Sequence, residues 1–244
     1  MVRAARNGIA ISFDDGCGLA DKIKATTTMK QMHSAPEPGK RLSAISLASR
    51  QGSAVTTVTS PIVFLHIPKT AGQTIHNALV AAVGGGKQVS PIRVHTQSAD
   101  QYPEGYRLYS GHLDWDHIYK AGPDRFSFTV LRDPAERIAS FYFYLQKEAR
   151  KLSASDLRKN IGKRRALEWS ADDYFFGGDN KWQAFILDHY NNFYCSYFST
   201  RMMRGHARIA HLKPSELIGS AQSGLESLQG VYLGSDAGGG RILR

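Results

Sequence analysis

Residues 61–83 read PIVFLHIPKTAGQTIHNALVAAV. Within them, 62–67 is an almost unbroken apolar run, the pattern of a parallel strand covered on both faces. A turn follows through Pro68, Lys69, Thr70, Ala71, Gly72, Gln73 and Thr74. Beyond it Ile75, Ala78, Leu79, Ala82 and Val83 share one face at helical spacing, until Gly84, Gly85 and Gly86 stop the helix. A buried strand, a tight turn and a helix start predict an α/β fold with a central parallel sheet. They also predict an anion site, because first-turn N–H groups lack intrahelical acceptors and the positive end of the helix dipole points outward. Lys69 adds a full charge there, and Thr70 and Thr74 add hydroxyl donors.

The turn does not follow the Walker pattern, in which a glycine and four residues precede Gly-Lys-Ser/Thr. Here the lysine comes first and Gly72 follows it, so ordinary nucleoside triphosphate binding is disfavoured. A second stretch, FSFTVLRDPAERIASFYFYL over 126–145, supplies independent information. Residues 126–131 read as another central strand. Asp133 is a good N-cap, Pro134 occupies the first helical position, and Glu136 lies where a capping box wants it. Arg132 is thereby placed at the carboxyl end of a strand, where open α/β sheets bind ligands, and its guanidinium can grip a phosphate with two parallel hydrogen bonds. Arg137 and Ser140 share a face of the following helix. Ser140 alone reads as a helix serine bonded to its own backbone, and Arg137 as a surface or supporting residue.

Together HIPKTAGQT and RDPAERIAS resemble the two nucleotide motifs of sulfotransferases that use 3′-phosphoadenosine 5′-phosphosulfate (PAPS). The likeness is to the branch that includes heparan sulfate 2-O-sulfotransferase and bacterial sulfotransferase family proteins. It implies a P-loop-like three-layer α/β/α architecture, with Lys69, Thr70, Ala71, Gly72, Gln73 and Thr74 around the 5′-phosphosulfate. Arg132 and Ser140 would then lie at the 3′-phosphate. In that branch a Gly-His pair between the motifs carries the catalytic base, and Gly111-His112 fits by order. Read by itself, His112 would be a hydrogen-bonded structural histidine; neutral imidazole does suit removal of an alcohol proton. The implied activity is in-line transfer of a sulfuryl group from PAPS to an acceptor hydroxyl, with carbohydrate as the expected acceptor. Lys69 would stabilise the leaving phosphate, and no metal would be needed.

Composition is compatible with this. A chain of 244 residues with 42% hydrophobic content can bury one sizeable core, and a formal charge of +10 favours anionic partners such as nucleotides or acidic glycans. Nucleic acid is not expected, since no recognition-helix, zinc or aromatic-platform pattern appears. Cys17 and Cys195 stand in no metal or redox spacing, which makes a reducing compartment the default. No run approaches the ~20 apolar residues of a membrane span, so a cytoplasmic protein is expected, although Golgi-resident relatives carry an anchor. Residues 1–58, rich in Ser, Thr, Ala, Gly and Lys, read as a poorly ordered extension with at most a short helix, and 59–244 as the nucleotide-binding domain.

Further along, the basic residues of 146–169 suggest either a solvated helical face or a surface for an anionic acceptor. The stripe Trp182, Phe185, Ile186 and His189 reads as core. Residues 191–205 resemble weakly an Asn-containing stretch that precedes a lid in relatives. A last helix over 214–228 and a short strand over 230–233 precede a glycine-rich tail, where the C-terminal part expected from relatives looks truncated or diverged. Two other readings remain open: a non-catalytic or impaired nucleotide-binding relative, and a P-loop kinase.

Overall fold

The computed structural model describes residues 60–234 and, as backbone, two short strands near the N-terminus. Those strands, β1 (Val2–Arg6) and β2 (Ile9–Phe13), pair antiparallel, with Val2 opposite Phe13 and Arg6 opposite Ile9. The rest of the expected 1–58 extension, and the glycine-rich tail past 234, lie outside the described residues.

The predicted strand over 62–67 is realised as β3 (Ile62–Leu65), all four residues buried, with Ile67 also fully buried just beyond it. It is central. β4 (Leu108–Gly111) and β5 (Phe126–Leu131) flank it, β6 (Gly230–Leu233) lies outside β5, and every pairing is parallel in the order β4-β3-β5-β6. Register sets Leu65 beside Gly111 on one side and Thr129 on the other, so β3, β4 and β5 all end at one edge. Thr129 Oγ1 donates to the Leu65 carbonyl at 2.8 Å, tying β5 to β3 just below that edge.

Side chains alternate across the sheet. Ile62, Phe64, Leu108, Phe128 and Val130 face one side, where Ile75 and Leu79 of α1 (Gly72–Ala82) pack on them. Val63, Leu65, Tyr109 and Leu131 face the other, against α7 (Phe193–Thr200) and α9 (Pro214–Glu226). This is the expected three-layer α/β/α arrangement. A satellite core joins α2 (Pro134–Ala149) to α4 (Ile161–Glu168), α5 (Ala171–Phe176) and α6 (Asn180–His189) through Tyr142, Tyr174, Trp182, Ile186 and Tyr190. The short helices α3 (Ala154–Lys159) and α8 (His206–Ile209) complete the described α-helices.

Two local expectations change. Asp133 caps α2 as predicted, accepting from the Ala135 and Glu136 amides at 3.0 and 3.1 Å. Glu136, however, turns to Arg132 Nε at 3.1 Å instead of closing a capping box, because a guanidinium offers a charge-assisted bond stronger than a neutral amide does. Arg137 is buried at 2% exposure rather than lying at the surface; it donates to the His189 carbonyl and lies 4.5 Å from the Phe193 ring. The 191–205 stretch contains α7, six consecutive buried residues of the core.

Among the basic residues of 146–169, Arg165 is structural: it stacks at 4.3 Å on Trp169 and 4.8 Å on Trp182. Lys151 pairs with Glu148 at 2.6 Å, while Lys147, Arg150 and Arg158 are exposed. No described helix is long and apolar enough to cross a membrane. Cys195 is buried.

Candidate active site

The edge where β3, β4 and β5 end carries the site. After β3, the chain reverses with Lys69 at φ 71° and Ala71 at φ 64°, both in the left-handed region that costs a non-glycine residue about 1–2 kcal/mol. Strain of this kind persists where the surroundings over-determine it, and it clusters at ligand sites. Thr70, 2% exposed, points inward: its hydroxyl donates to the Ile67 carbonyl at 2.9 Å and braces the turn. Ala71, at the N-cap of α1, offers no side-chain cap, and no acidic residue lies in the first turn. The amides of Gly72, Gln73 and Thr74 are thus left with the helix dipole and no internal acceptor.

Gly72 is fixed by its neighbour. A Cβ there would meet the His66 ring at 1.9 Å, and that ring is held by Phe64 (centroids 5.5 Å apart) and His112 (4.4 Å). Gly72→Ala should destabilise the fold by about 1–3 kcal/mol, as overpacking of a filled site does. Urea unfolding measures it, and an unchanged midpoint would mean the ring moves aside freely.

Lys69 and Arg132 meet. Arg132 follows β5, and its Nη1 donates to the Lys69 carbonyl at 3.4 Å. Its backbone is clamped by Tyr194 of α7, whose hydroxyl accepts from the Arg132 amide at 3.1 Å and donates to its carbonyl at 2.8 Å. The Lys69 ammonium sits 4.3 Å over the ring of Tyr144 in α2. Its pKa is held below the ordinary lysine range, first by burial and then by repulsion from Arg132 and Lys147, with Glu148 pulling upward. Ser140, half-buried, lies one helical turn before Tyr144 on the same face of α2.

His112, directly after β4, donates from Nδ1 to the His66 carbonyl. A carbonyl can only accept, so the proton is on Nδ1 and Nε2 is the basic nitrogen. Burial, then the charges of Arg93 and His95, lower its pKa, and the His66 carbonyl only partly offsets them. His66 itself is pushed down to about 3, chiefly by burial. The 89–95 segment runs beside β4, joining it at Val89–Leu108 and Val94–His112. A Cβ on Gly111 would lie 2.3 Å from the Arg93 carbonyl, so only glycine permits that approach. Arg93 Nη1 reaches the ring of His76 in α1, whose Nδ1 also lies 3.0 Å from Ser110 Oγ.

Most of the predicted residues therefore gather at one edge, with Lys69 and the 70–74 turn at the centre, His112 on the β4 side and Arg132 on the β5 side, while Ser140 lies further along α2. His66, His76, Arg93, Tyr144 and Tyr194 were not foreseen. For Tyr144 a signal existed, since it lies four residues after Ser140 on a helix. Among the described residues no group of His, Cys, Asp and Glu is arranged to hold a metal ion.

A family model described as the sulfotransferase family matches residues 53–214, well over half of the chain. The chain belongs to the sulfotransferase family. It is accordingly an enzyme, a transferase that moves sulfuryl groups to a hydroxyl acceptor, and the sheet edge described above falls wholly within the matched span. No curated protein matches the chain at a significant level.

Proposed function

We propose that this sulfotransferase uses PAPS as donor and a carbohydrate hydroxyl as acceptor, with the nucleotide bound by residues 59–244 along the carboxyl edge of the sheet. The adjacency of Lys69 and Arg132 carries the reading: the Arg132 guanidinium reaches the Lys69 backbone, its Nη1 3.4 Å from the Lys69 carbonyl, and its charge repels the Lys69 ammonium at a turn whose helix start lacks any acidic residue. Burial and the repulsion between these two cations both disfavour the charged lysine, and an anion seated beside the helix start would offset both.

PAPS supplies a sulfuryl group activated by its 5′-phosphate. Lys69 and the amides of residues 71–74 would face the negative charge that grows on the leaving phosphate, and donors fixed in advance lower the barrier most. Arg132 and Ser140 would hold the 3′-phosphate, leaving donors unpaired when ATP takes its place. His112 Nε2 would accept the acceptor's hydroxyl proton as the oxygen attacks sulfur in line with the leaving oxygen. Glu136 holds Arg132 Nε at 3.1 Å and the Lys69 carbonyl accepts from Nη1 at 3.4 Å, which fixes the guanidinium beside the turn.

Calorimetric titration with adenosine 3′,5′-bisphosphate tests the donor. Binding should exceed that of ATP, and Arg132→Ala should weaken it about 10–100-fold, the worth of a charge-assisted hydrogen bond. Equal affinity for ATP, or no effect of Arg132→Ala, would overturn the assignment.

A further inference from the structure

We infer that Tyr144 is a positioning residue for Lys69, its ring face holding the ammonium in place and charged at the mouth of the turn. The inference rests on the reading of Lys69 as the group that meets the leaving phosphate. Lys69 Nζ lies 4.3 Å from the Tyr144 centroid, well within the ~6 Å over which a ring quadrupole attracts a cation. Tyr144 does not pack in the core: it is 41% exposed and takes no part in the satellite core that α2 builds with Tyr142 and Leu145. A large aromatic left in solvent at a nucleotide site, with a lysine on its face, is better explained by the lysine.

The charges around Lys69 show why a neutral partner is needed. Arg132 from the end of β5 and Lys147 from α2 both repel the ammonium, and burial disfavours its charged form; among the described residues Glu148 opposes them. His66, on the β3 side, is neutral, with its pKa near 3. A carboxylate beside Lys69 would restore the charge but would also compete with the phosphate for it. A ring face stabilises the cation without cancelling its charge toward an incoming anion. Tyr144 also sits four residues after Ser140, so one rigid helix sets the distance between the lysine and the serine proposed for the other phosphate.

The test needs no acceptor. Competitive labelling with acetic anhydride across pH, read at Lys69 by mass spectrometry, gives the titration midpoint of that amine in wild type, Tyr144→Phe and Tyr144→Leu. Loss of the ring face should lower the midpoint by about half a pH unit in Tyr144→Leu, the shift matching an exposed cation–π contact. Tyr144→Phe keeps the ring face and should restore it; an effect on folding alone would not follow that order. Equal midpoints in Tyr144→Leu and wild type would overturn the inference. Lys69→Met, assayed in parallel for sulfate release from labelled PAPS with water as acceptor, tests the underlying reading on its own. Release at the wild-type rate would remove Lys69 from the reaction, whereas a shifted midpoint would still establish the hold of Tyr144.

Discussion

Lys69→Ala is expected to slow sulfuryl transfer from PAPS by about 10²–10³-fold, the usual loss when one preorganised donor to a developing charge is removed. The fold should hardly notice. Lys69 occupies φ 71°, where alanine is strained as much as lysine, and its side chain is only half-buried. Removing it also relieves repulsion with Arg132 and Lys147. If the ammonium meets charge that appears only as the sulfur–oxygen bond breaks, kcat and kcat/KM fall together and KM for PAPS stays put. Lys69→Arg should rescue poorly, because the planar guanidinium is wider than an ammonium and would crowd Arg132. Transfer of labelled sulfate over a panel of glycans and phenols measures this. A variant that keeps wild-type kcat and loses only PAPS affinity would reduce Lys69 to a ground-state binder.

How much of this could be read from residues alone depends on the range of the interactions involved. The β3–turn–α1 unit and the capped start of α2 were legible because strand hydrophobicity, helix periodicity, the Asp133 cap and the glycine stop all act within a few residues. The parallel sheet followed from those units, and with it the placement of Lys69 and Arg132 at one edge. Longer-range features were not legible. Glu136 abandons the capping box for a guanidinium whose direction depends on Lys69, 63 residues away along the chain. Arg137 read as either a surface or a supporting residue, and only the fold decides: it is buried, donating to the His189 carbonyl and lying on the Phe193 ring, which α6 and α7 bring to it. Arg93 gave no signal at all; its role appears only because Gly111 lets the 89–95 backbone touch β4. His112 was found through family likeness, and the bond that selects its tautomer comes from a backbone carbonyl that no motif encodes.

That bond makes the second large prediction separable into two parts. His112→Ala should reduce transfer by about 10²–10⁴-fold, the range for loss of a positioned general base. His112→Asn should be as slow, although its side-chain amide can replace Nδ1–H as donor to the His66 carbonyl; what it lacks is the basic Nε2. Equal losses in the two variants would thus assign the effect to proton acceptance rather than to support of the β3 end. The pH dependence gives an independent check. Burial and the charges of Arg93 and His95 lower the His112 pKa below 6.5, so the imidazole remains in its neutral, proton-accepting form as pH falls through the ordinary histidine range. The acid limb of kcat/KM should therefore lie on the acidic side of 6.5, with activity flat from there to pH 7 and above. Arg93→Gln removes a cation that depresses this pKa, and should move the limb back toward 6.5. An acid limb above pH 7 in the wild type, or one that ignores Arg93→Gln, would mean that some group other than His112 takes the proton.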